Sequence, residues 1–269
     1  MHDGVVVVTG AASGIGAAIV TELRAVGYGV VGVDLQPSRE RVDERLAWVH
    51  GDVSDPGTHE LAVSAAAEIG LLKGWVNNAG RVENAPLHAL SDAEAEATLR
   101  TNLYGTLAGT RAALRSFIAT GVLGAIVNVS SIHARGAFPG TPAYDATKGG
   151  IEALTRYAAV EYGHLGIRAN AIAPGAIRTE MIADAIKAAD EPARLERDFA
   201  ALHPLARLGE PHEVARAVRF LLSADASFIS GAVLAVDGAA AARVYSFPPH
   251  ADVPTREAAS PISEGNGVA

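Results

Sequence analysis

The chain has 269 residues, of which 49% are hydrophobic, with 22 basic and 30 acidic side chains and no cysteine. The lack of cysteine excludes disulfides, thiolate nucleophiles and cysteine-ligated metal centres, and fits a reducing, cytoplasmic location. A net charge of −8 and an aromatic content of 5% argue against nucleic acid or an anionic membrane as a partner, because both favour basic surfaces. No apolar run reaches the roughly 20 residues that span a bilayer, and no secretory signal is predicted at the N-terminus.

Short buried strands alternate with amphipathic helices along the chain. Strands are predicted at 5–8, 28–33, 46–50, 74–77, 125–129, 167–173 and 233–236, and helices at 14–26, 56–70, 91–120, 144–163, 179–200 and 213–222. This alternation predicts an α/β fold, with one doubly wound, seven-stranded parallel sheet and helices on both faces. The domain is expected to cover residues 1–242, with a substrate lid at 178–210, and a proline-containing C-terminal extension to cover 243–269.

A glycine-rich turn follows the first strand, with the sequence Thr9-Gly10-Ala11-Ala12-Ser13-Gly14-Ile15-Gly16. Glycines between a strand and a helix let the backbone turn tightly and approach a pyrophosphate, whose charge is stabilised by the helix N-terminus. A tight turn without a ligand is the alternative. The strand–turn–helix context favours dinucleotide binding.

Asp34 ends the second predicted strand, 18 residues after Gly16. An acid at that place accepts hydrogen bonds from the adenosine ribose hydroxyls and repels a 2′-phosphate. Ser13 and Leu35 stand where a basic residue would accommodate that phosphate, so the sequence favours NAD over NADP. Arg39 is the one nearby cation that could weaken the preference, and an ordinary surface aspartate is the alternative interpretation of Asp34.

Tyr144 and Lys148 are four residues apart on a predicted helix and therefore share one face. A free tyrosine has a pKa of about 10 and is a poor base at neutral pH. A lysine ammonium ~5 Å away, at an effective dielectric of ~20, would stabilise the phenolate by ~3 kcal/mol, or about two pKa units. Such a tyrosine could act as a general acid/base. A pair of this kind is common on solvated helix faces, so it predicts catalysis only together with other motifs.

The combined motifs resemble those of the short-chain dehydrogenase/reductase family. The matching residues are Thr9-Gly-x-x-x-Gly-Ile-Gly16, Asp52-Val53, Asn77-Asn-Ala-Gly80, Asn102, Ser131, Tyr144-x-x-x-Lys148, Pro174-Gly175 and Thr179. They occur in the family's order over residues 5–240. The resemblance implies a single Rossmann-type domain that transfers hydride between a nicotinamide cofactor and an alcohol or carbonyl.

The resemblance also implies a catalytic set. Tyr144 would be the general acid/base, and Lys148 would bind the nicotinamide ribose and lower the pKa of Tyr144. Ser131 would hold the substrate oxygen, with Ser130 as an alternative that the spacing disfavours. Asn102 would position a water that links Lys148 to solvent.

The expected cofactor contacts come from several separate motifs. They are Gly10, Ser13, Gly14, Ile15 and Gly16 at the pyrophosphate, Asp34 at the adenosine ribose, Asp52 and Val53 at the adenine, Asn78, Ala79 and Gly80 near that ribose, and Tyr144, Lys148, Pro174, Gly175, Ile177 and Thr179 at the nicotinamide end. No metal is expected, because none of the nine histidines pairs with carboxylates at ligand spacing.

Fewer residues point to the substrate. His133, two residues after Ser131, either lines the substrate pocket or is a loop histidine near the surface. Met181 is expected in the pocket as part of the lid. Asp145 departs from the small residue usual in the family. It is expected to face solvent, with contact to a neighbouring subunit as the less favoured alternative, and its charge could oppose the effect of Lys148.

The predicted function is an NAD-dependent dehydrogenase/reductase that acts on a small secondary alcohol or ketone. Two alternatives remain: an NADP-linked 3-oxoacyl or carbonyl reductase, and a non-catalytic dinucleotide-binding sensor. The intact set of Asn102, Ser131, Tyr144 and Lys148 favours an enzyme. An enoyl reductase is disfavoured by the Tyr–Lys spacing, and the resemblance implies a homotetramer.

Overall fold

The run of valines from Val5 to Val8 forms the first strand of a sheet that is covered on both faces. In the computed structural model, which describes residues 4–36 and 43–243, this strand, β1, spans Gly4–Thr9 and is buried throughout. Successive side chains of a strand point to opposite faces. Val6 and Val8 accordingly pack into one apolar core, and Val5 and Val7 into another.

Seven parallel strands form the sheet in the order β3-β2-β1-β4-β5-β6-β7. The strands after β1 are β2 Gly29–Asp34, β3 Leu46–His50, β4 Leu71–Asn77, β5 Ala125–Val129, β6 Arg168–Pro174 and β7 Val233–Val236. The strand order reverses between β1 and β4, and doubly wound sheets bind ligands beyond the carboxyl ends of their strands at such a point. The predicted fold, a seven-stranded doubly wound sheet, is confirmed.

Helices cover both faces of this sheet. They are α1 Gly14–Ala25, α2 Pro56–Ile69, α3 Asp92–Thr98, α4 Gly105–Thr120, α5 Pro142–Tyr162, α6 Glu180–Ala188, α7 Pro192–Ala201 and α8 Pro211–Leu222. Leu23 of α1 and Leu221 of α8 pack on one face, whereas Ala62 of α2, Phe117 of α4 and Ala158 of α5 pack on the other. Within the described ranges, no helix is both long enough and apolar enough to cross a membrane.

The helix predicted over residues 91–120 is not continuous. A π-helical segment, Leu99–Tyr104, separates α3 from α4. Wider turns of this kind often occur at functional sites, and this one contains the buried Asn102. The hydroxyl of Thr106 donates to the Asn102 carbonyl at 2.7 Å, which gives that carbonyl a side-chain partner at the wider turn.

The helix predicted over residues 179–200 is also divided, into α6 and α7. Pro192 is the first residue of α7, and proline has no amide hydrogen to continue a helix from the preceding turn. Ala189 already has extended backbone geometry. Neither helix has a buried residue, so the segment proposed as a lid does not join the core. The predicted extension lies outside the described residues except for Arg243, as does Arg39.

Candidate active site

The glycine-rich turn forms a cradle at the carboxyl end of β1. Gly10 and Gly14 have φ values of +64° and +53°, a left-handed geometry that favours glycine. A Cβ on Gly16 would lie 1.9 Å from the carbonyl oxygen of Gly10, so no larger residue fits. Ser13 makes no side-chain capping bond to α1, which leaves the first-turn amides available to an anion. The turn therefore fits a dinucleotide pyrophosphate.

Asp34 lies where the sequence predicts, at the end of β2 and next to this cradle. Its two oxygens accept hydrogen bonds of 2.9 Å from the amides of Ala12 and Gln36. A carboxylate has about four acceptor positions, so lone pairs remain for ribose hydroxyls. The neighbouring Leu35 side chain is 61% exposed and offers no positive charge to a 2′-phosphate.

The Asn77-Asn-Ala-Gly80 motif ties β4 to the glycine-rich turn. The Asn78 side chain donates to the carbonyls of Thr9 and Gly10, both at 3.0 Å. The amides of Asn78 and Ala79 donate to the Thr9 hydroxyl. These contacts support the turn, and they place the motif beside the predicted adenosine ribose position.

The remaining predicted cofactor residues lie around the same edge of the sheet. Asp52 accepts from the amide of Ser54 at 2.7 Å, and Val53 is buried against Gly105. On the other side, Thr179 is the N-cap residue of α6 and faces Gly14, and Ile177 is buried. These residues follow different strands, and they meet here because the carboxyl ends of parallel strands share one edge.

Pro174 ends β6 and leads into a tightly packed turn. A Cβ on Gly175 would lie 2.5 Å from the Nε2 atom of His203. That histidine is buried, and its Nε2 accepts from the amide of Ala176 at 3.0 Å. His203 thus holds the turn that precedes Ile177.

The structure places Ser131, rather than Ser130, against Tyr144. The Ser131 hydroxyl lies close enough to the Tyr144 phenol to lower the pKa of the phenol, and it accepts from the amide of His133 at 3.2 Å. Ser130 is buried, and its hydroxyl points to the Lys148 carbonyl at 3.3 Å. Of the two serines, only Ser131 therefore shares a site with the tyrosine.

Lys148 lies over the face of the Tyr144 ring. Its Nζ is 5.1 Å from the ring centroid and donates to the carbonyl of Val129 at 2.9 Å. Burial lowers the pKa of Lys148 to about 8. The distance from the Lys148 Nζ to the Tyr144 ring matches the ~5 Å expected from helical spacing. The ammonium, however, contacts the face of the ring and the Val129 carbonyl.

The predicted lowering of the Tyr144 pKa is not found in the protein itself. Burial raises the pKa of Tyr144 to about 12, because the phenolate loses hydration. The nearby Ser131 hydroxyl lowers the pKa of Tyr144, whereas the carboxylates of Asp145 and Glu83 raise it. Desolvation therefore outweighs the attraction that the helical spacing suggested, and at neutral pH Tyr144 is a protonated phenol that can donate a proton.

Asn102 joins two parts of the site. Its side-chain amide exchanges hydrogen bonds of 2.8 Å with the backbone of Arg81, and its Nδ2 also donates to the Thr147 hydroxyl at 3.2 Å. Thr147 precedes Lys148 on α5. Asn102 thus links the loop after β4 to the catalytic helix, and its predicted role of positioning a water stays a prediction.

The role of Glu83 could not be predicted from its place in the sequence. Its side chain is 4% exposed, and its Oε1 accepts from the amides of Ala143 and Tyr144 at 2.7 and 2.9 Å. These amides belong to the first turn of α5, whose N-cap residue Thr141 provides no capping bond. Glu83 therefore caps the catalytic helix from a distant loop. That loop has no periodic pattern, so only the acidic residue itself, close after Gly80, could have drawn attention to it.

The expectation that Asp145 faces solvent is wrong. Its side chain is 18% exposed, and its Oδ1 lies 2.6 Å from the Nδ1 of His133. Oδ1 also accepts from the Thr141 hydroxyl, and Oδ2 from the amide of Phe138. These three donors draw the carboxylate inward. His133 in turn stacks on Phe138 and places its ring at right angles to that of Tyr144.

Met181 is 48% exposed on α6 and packs into neither apolar core. Its position on the segment beyond β6 agrees with the predicted lid. The structure records no contact between Met181 and the Ser131–Tyr144 pair, so its place in the substrate pocket stays a prediction.

Comparisons with known proteins identify the class of protein that this fold and site define. A family model described as enoyl-(acyl carrier protein) reductase matches residues 10–239. The chain belongs to the short-chain dehydrogenase/reductase family, as its motifs implied.

Individual relatives include several alcohol dehydrogenases. The cis-4-hydroxycyclohexanecarboxylate dehydrogenase of Sinomonas cyclohexanicum is 43% identical over 243 residues, which cover 87% of this chain and 95% of the relative. The structure is similar to that of ligand-free Thermoplasma acidophilum aldohexose dehydrogenase, with a TM-score of 0.85, 31% identity and coverage of 93% and 98% of the two chains. It is also similar to ElxO with NADP bound, with a TM-score of 0.82, 30% identity and coverage of 90% and 100%. The chain therefore belongs to a family of oxidoreductases that bind nicotinamide cofactors.

Proposed function

We propose that this protein is an NAD-dependent dehydrogenase/reductase that interconverts a secondary alcohol and a ketone. The observation that carries the proposal is the juxtaposition of Ser131 and Tyr144, with Lys148 over the tyrosine ring. This pair lies at the sheet edge that also carries the glycine-rich turn. When bound, the nicotinamide cofactor would accept or supply the hydride.

In the direction of ketone reduction, Tyr144 donates its phenolic proton to the substrate oxygen. Ser131 orients that oxygen, because its hydroxyl already accepts from the amide of His133 and keeps its own hydrogen for donation. Two donors then converge on the atom where negative charge develops, which stabilises the transition state. The raised pKa of Tyr144 keeps the proton in place until it is transferred.

In the direction of alcohol oxidation, Tyr144 must first lose its proton. Because burial raises the pKa of Tyr144 to about 12, we expect the oxidation rate to increase with pH through the neutral and alkaline range. The ammonium of Lys148 is the closest positive charge to the ring among the described side chains, so it is the group of this chain best placed to stabilise the phenolate.

The choice of NAD over NADP rests on Asp34. Its carboxylate is fixed beside the turn by two backbone amides, so a 2′-phosphate would approach a fixed negative charge. The similarity to ElxO with NADP bound makes an NADP-linked carbonyl or 3-oxoacyl reductase the second candidate. The sensor hypothesis is disfavoured, because a protein that only binds the dinucleotide has no need for a proton-donating site.

An enoyl reductase, the description that accompanies the matching family model, is less compatible with the site. Tyr144 and Lys148 are separated by three residues, whereas the resemblance assigns a longer spacing to enoyl reductases. The relative from Sinomonas cyclohexanicum is named as an alcohol dehydrogenase, which also favours alcohol chemistry for this chain.

The experiment that tests the proposal is a panel of secondary alcohols and ketones, followed by the absorbance of the reduced nicotinamide, with NAD and NADP side by side. We expect turnover with NAD and at least tenfold lower kcat/KM with NADP. An Asp34→Ala variant should reduce the ratio of kcat/KM with NAD to kcat/KM with NADP. Its order of preference among the alcohols should stay the same. Turnover that is faster with NADP would favour the second candidate, and binding of NAD without turnover of any compound would favour the sensor.

For the substrate site we propose that His133 and the lid residue Met181 line the pocket. The support for His133 is its ring contact with Tyr144, with 5.1 Å between centroids. The support for Met181 is its exposed position on α6, which follows the β6 turn. Separate Met181→Ala and Leu61→Ala variants would test the lid, because Leu61 is exposed on α2 outside residues 178–210 and only Met181→Ala should change KM across alcohols of different size.

We also propose a homotetramer built on α4, α5 and β7. Several apolar side chains of these elements are exposed in the single chain, namely Leu107, Ile118, Tyr157, Val160 and Leu234, and patches of this kind mark association sites. Sedimentation velocity of the full chain tests this: a Val160→Glu variant should dissociate if α5 lies in an interface. A native monomer would contradict the proposal.

A further inference from the structure

His133 and Asp145 form a fixed pair beside the catalytic tyrosine. The Asp145 carboxylate receives donors from Thr141 at 2.9 Å and from the Phe138 amide at 3.1 Å, in addition to the His133 Nδ1 at 2.6 Å. An ionised carboxylate can only accept hydrogen bonds, so the ring nitrogen that faces it must carry a hydrogen. Asp145 therefore fixes His133 in the form that is protonated at Nδ1.

The imidazole is also held in orientation. Its face stacks on Phe138 with 3.8 Å between centroids and an angle of 15°, and it meets the Tyr144 ring at 5.1 Å and 89°. These two ring contacts, together with the bond to Asp145, leave the ring little freedom to rotate. The position of its second nitrogen is therefore fixed relative to Tyr144.

The Nε2 atom of His133 is the part of the pair that remains free to bind. It makes no hydrogen bond within residues 4–36 and 43–243, and it is absent from the fully buried unpaired polar atoms of that region. The side chain is 20% exposed. Burial lowers the pKa of His133 below its usual value, which keeps the ring neutral and makes Nε2 an acceptor.

The charges around this nitrogen favour an uncharged ligand group. Asp145 touches His133, and Glu83 lies behind Tyr144 at the start of α5. The ammonium of Lys148 also acts on His133 and stays charged while it is bonded to the Val129 carbonyl. These three charged groups sum to −1, so a substrate carboxylate here would meet a net negative charge, whereas a hydroxyl would donate directly to Nε2.

We propose that His133, fixed by Asp145, is a specificity-determining residue whose Nε2 accepts a hydrogen bond from a second hydroxyl group of the substrate. The substrate is then a diol or a more highly hydroxylated alcohol, oxidised at one carbon and recognised at another. This inference rests on the proposed dehydrogenase function and specifies its substrate class.

The test compares cyclohexanol with the 1,2-, 1,3- and 1,4-cyclohexanediols as substrates, with NAD as the cofactor. In the native protein we expect at least one diol to exceed cyclohexanol in kcat/KM by about tenfold. His133→Phe keeps an aromatic ring for the stack on Phe138 but removes the acceptor, and should reduce the diol-to-cyclohexanol ratio by about 3- to 10-fold, the value of one neutral hydrogen bond. His133→Gln, which again offers an acceptor, should restore part of the ratio.

His164→Phe is the matched control, because His164 is exposed in the turn beyond the far end of α5, and the native ratio should persist there. An unchanged diol preference in His133→Phe would overturn the inference. The inference would also be overturned if the native protein prefers 4-hydroxycyclohexanecarboxylate and His133→Phe abolishes that preference. Such a result would show that His133 and Asp145 bind an anion. The proposed function itself would be refuted if the native protein oxidises none of these alcohols and also converts no ketone or other alcohol.

Discussion

The contact between Glu83 and α5 leads to a prediction that links stability to catalysis. One carboxylate oxygen accepts from the amides of Ala143 and Tyr144 at 2.7 and 2.9 Å, and the side chain is 4% exposed. Hydrogen bonds to charged groups contribute about 1.5–3 kcal/mol each, and a lost N-cap costs about 0.5–2 kcal/mol. Water can replace part of the lost bonding at a helix end, which reduces the penalty. We therefore expect Glu83→Ala to lower the free energy of unfolding by about 2–4 kcal/mol.

For a chain of this size, such a loss lowers the Tm by roughly 5–15 °C. Thermal unfolding at one protein concentration measures it, because association makes Tm depend on concentration. Glu83→Gln keeps an acceptor oxygen and should lose less. The control is Ser91→Ala, which removes the N-cap hydrogen bond that the Glu94 amide donates to the Ser91 hydroxyl at the exposed start of α3 and should lower the stability by about 1 kcal/mol.

The same variant should also impair the reaction, because one of the two amides belongs to Tyr144. A displaced phenol costs roughly 10- to 100-fold in kcat, and Glu83→Gln should recover part of it. A Tm for Glu83→Ala no lower than that of Ser91→Ala, together with unchanged kcat, would refute the view that Glu83 holds the catalytic helix.

Three further predictions follow from the site and from α8. Tyr144→Phe should lower kcat by about 10²–10⁴-fold, while NADH affinity, measured by fluorescence titration, changes little; comparable turnover would exclude Tyr144 as the acid/base. Asp145→Asn removes a charge that raises the pKa of Tyr144, so the rising limb of the pH profile for alcohol oxidation should move to lower pH, and an unmoved limb contradicts this. Hydrogen bonds from Arg207 and the Glu210 amide lower the pKa of Glu213 from 4.5 to about 2. The stabilisation from these hydrogen bonds is present above pH 4.5 and is lost as the pH falls towards 2. Between pH 5 and pH 3, the Tm of the native chain should therefore decrease more than the Tm of Glu213→Gln.

The parts of the site that could be predicted are those for which residue type and spacing define the geometry. The turn from Gly10 to Gly16 needs glycine because backbone atoms approach within contact distance. Asp34 ends a buried strand, and the end of a parallel strand lies at the ligand-binding edge. The positions of Tyr144 and Lys148 follow from helical periodicity.

The parts that could not be predicted depend on contacts between distant segments. Glu83 lies in an aperiodic loop, and its burial results from its bonds with α5. Asp145 turns inward because Thr141 and the Phe138 amide provide donors. The raised pKa of Tyr144 results from burial, which spacing along one helix does not describe.

The most direct test of the account is to follow hydride from the substrate to the cofactor. A secondary alcohol that the native protein oxidises, deuterated at the carbinol carbon, is incubated with NAD, and the reduced cofactor is analysed by mass spectrometry. The account predicts NADH that carries one deuterium from the alcohol, and greatly reduced formation of it by Tyr144→Phe. NADH without deuterium, or equal formation by Tyr144→Phe, would contradict hydride transfer at the Ser131–Tyr144 site.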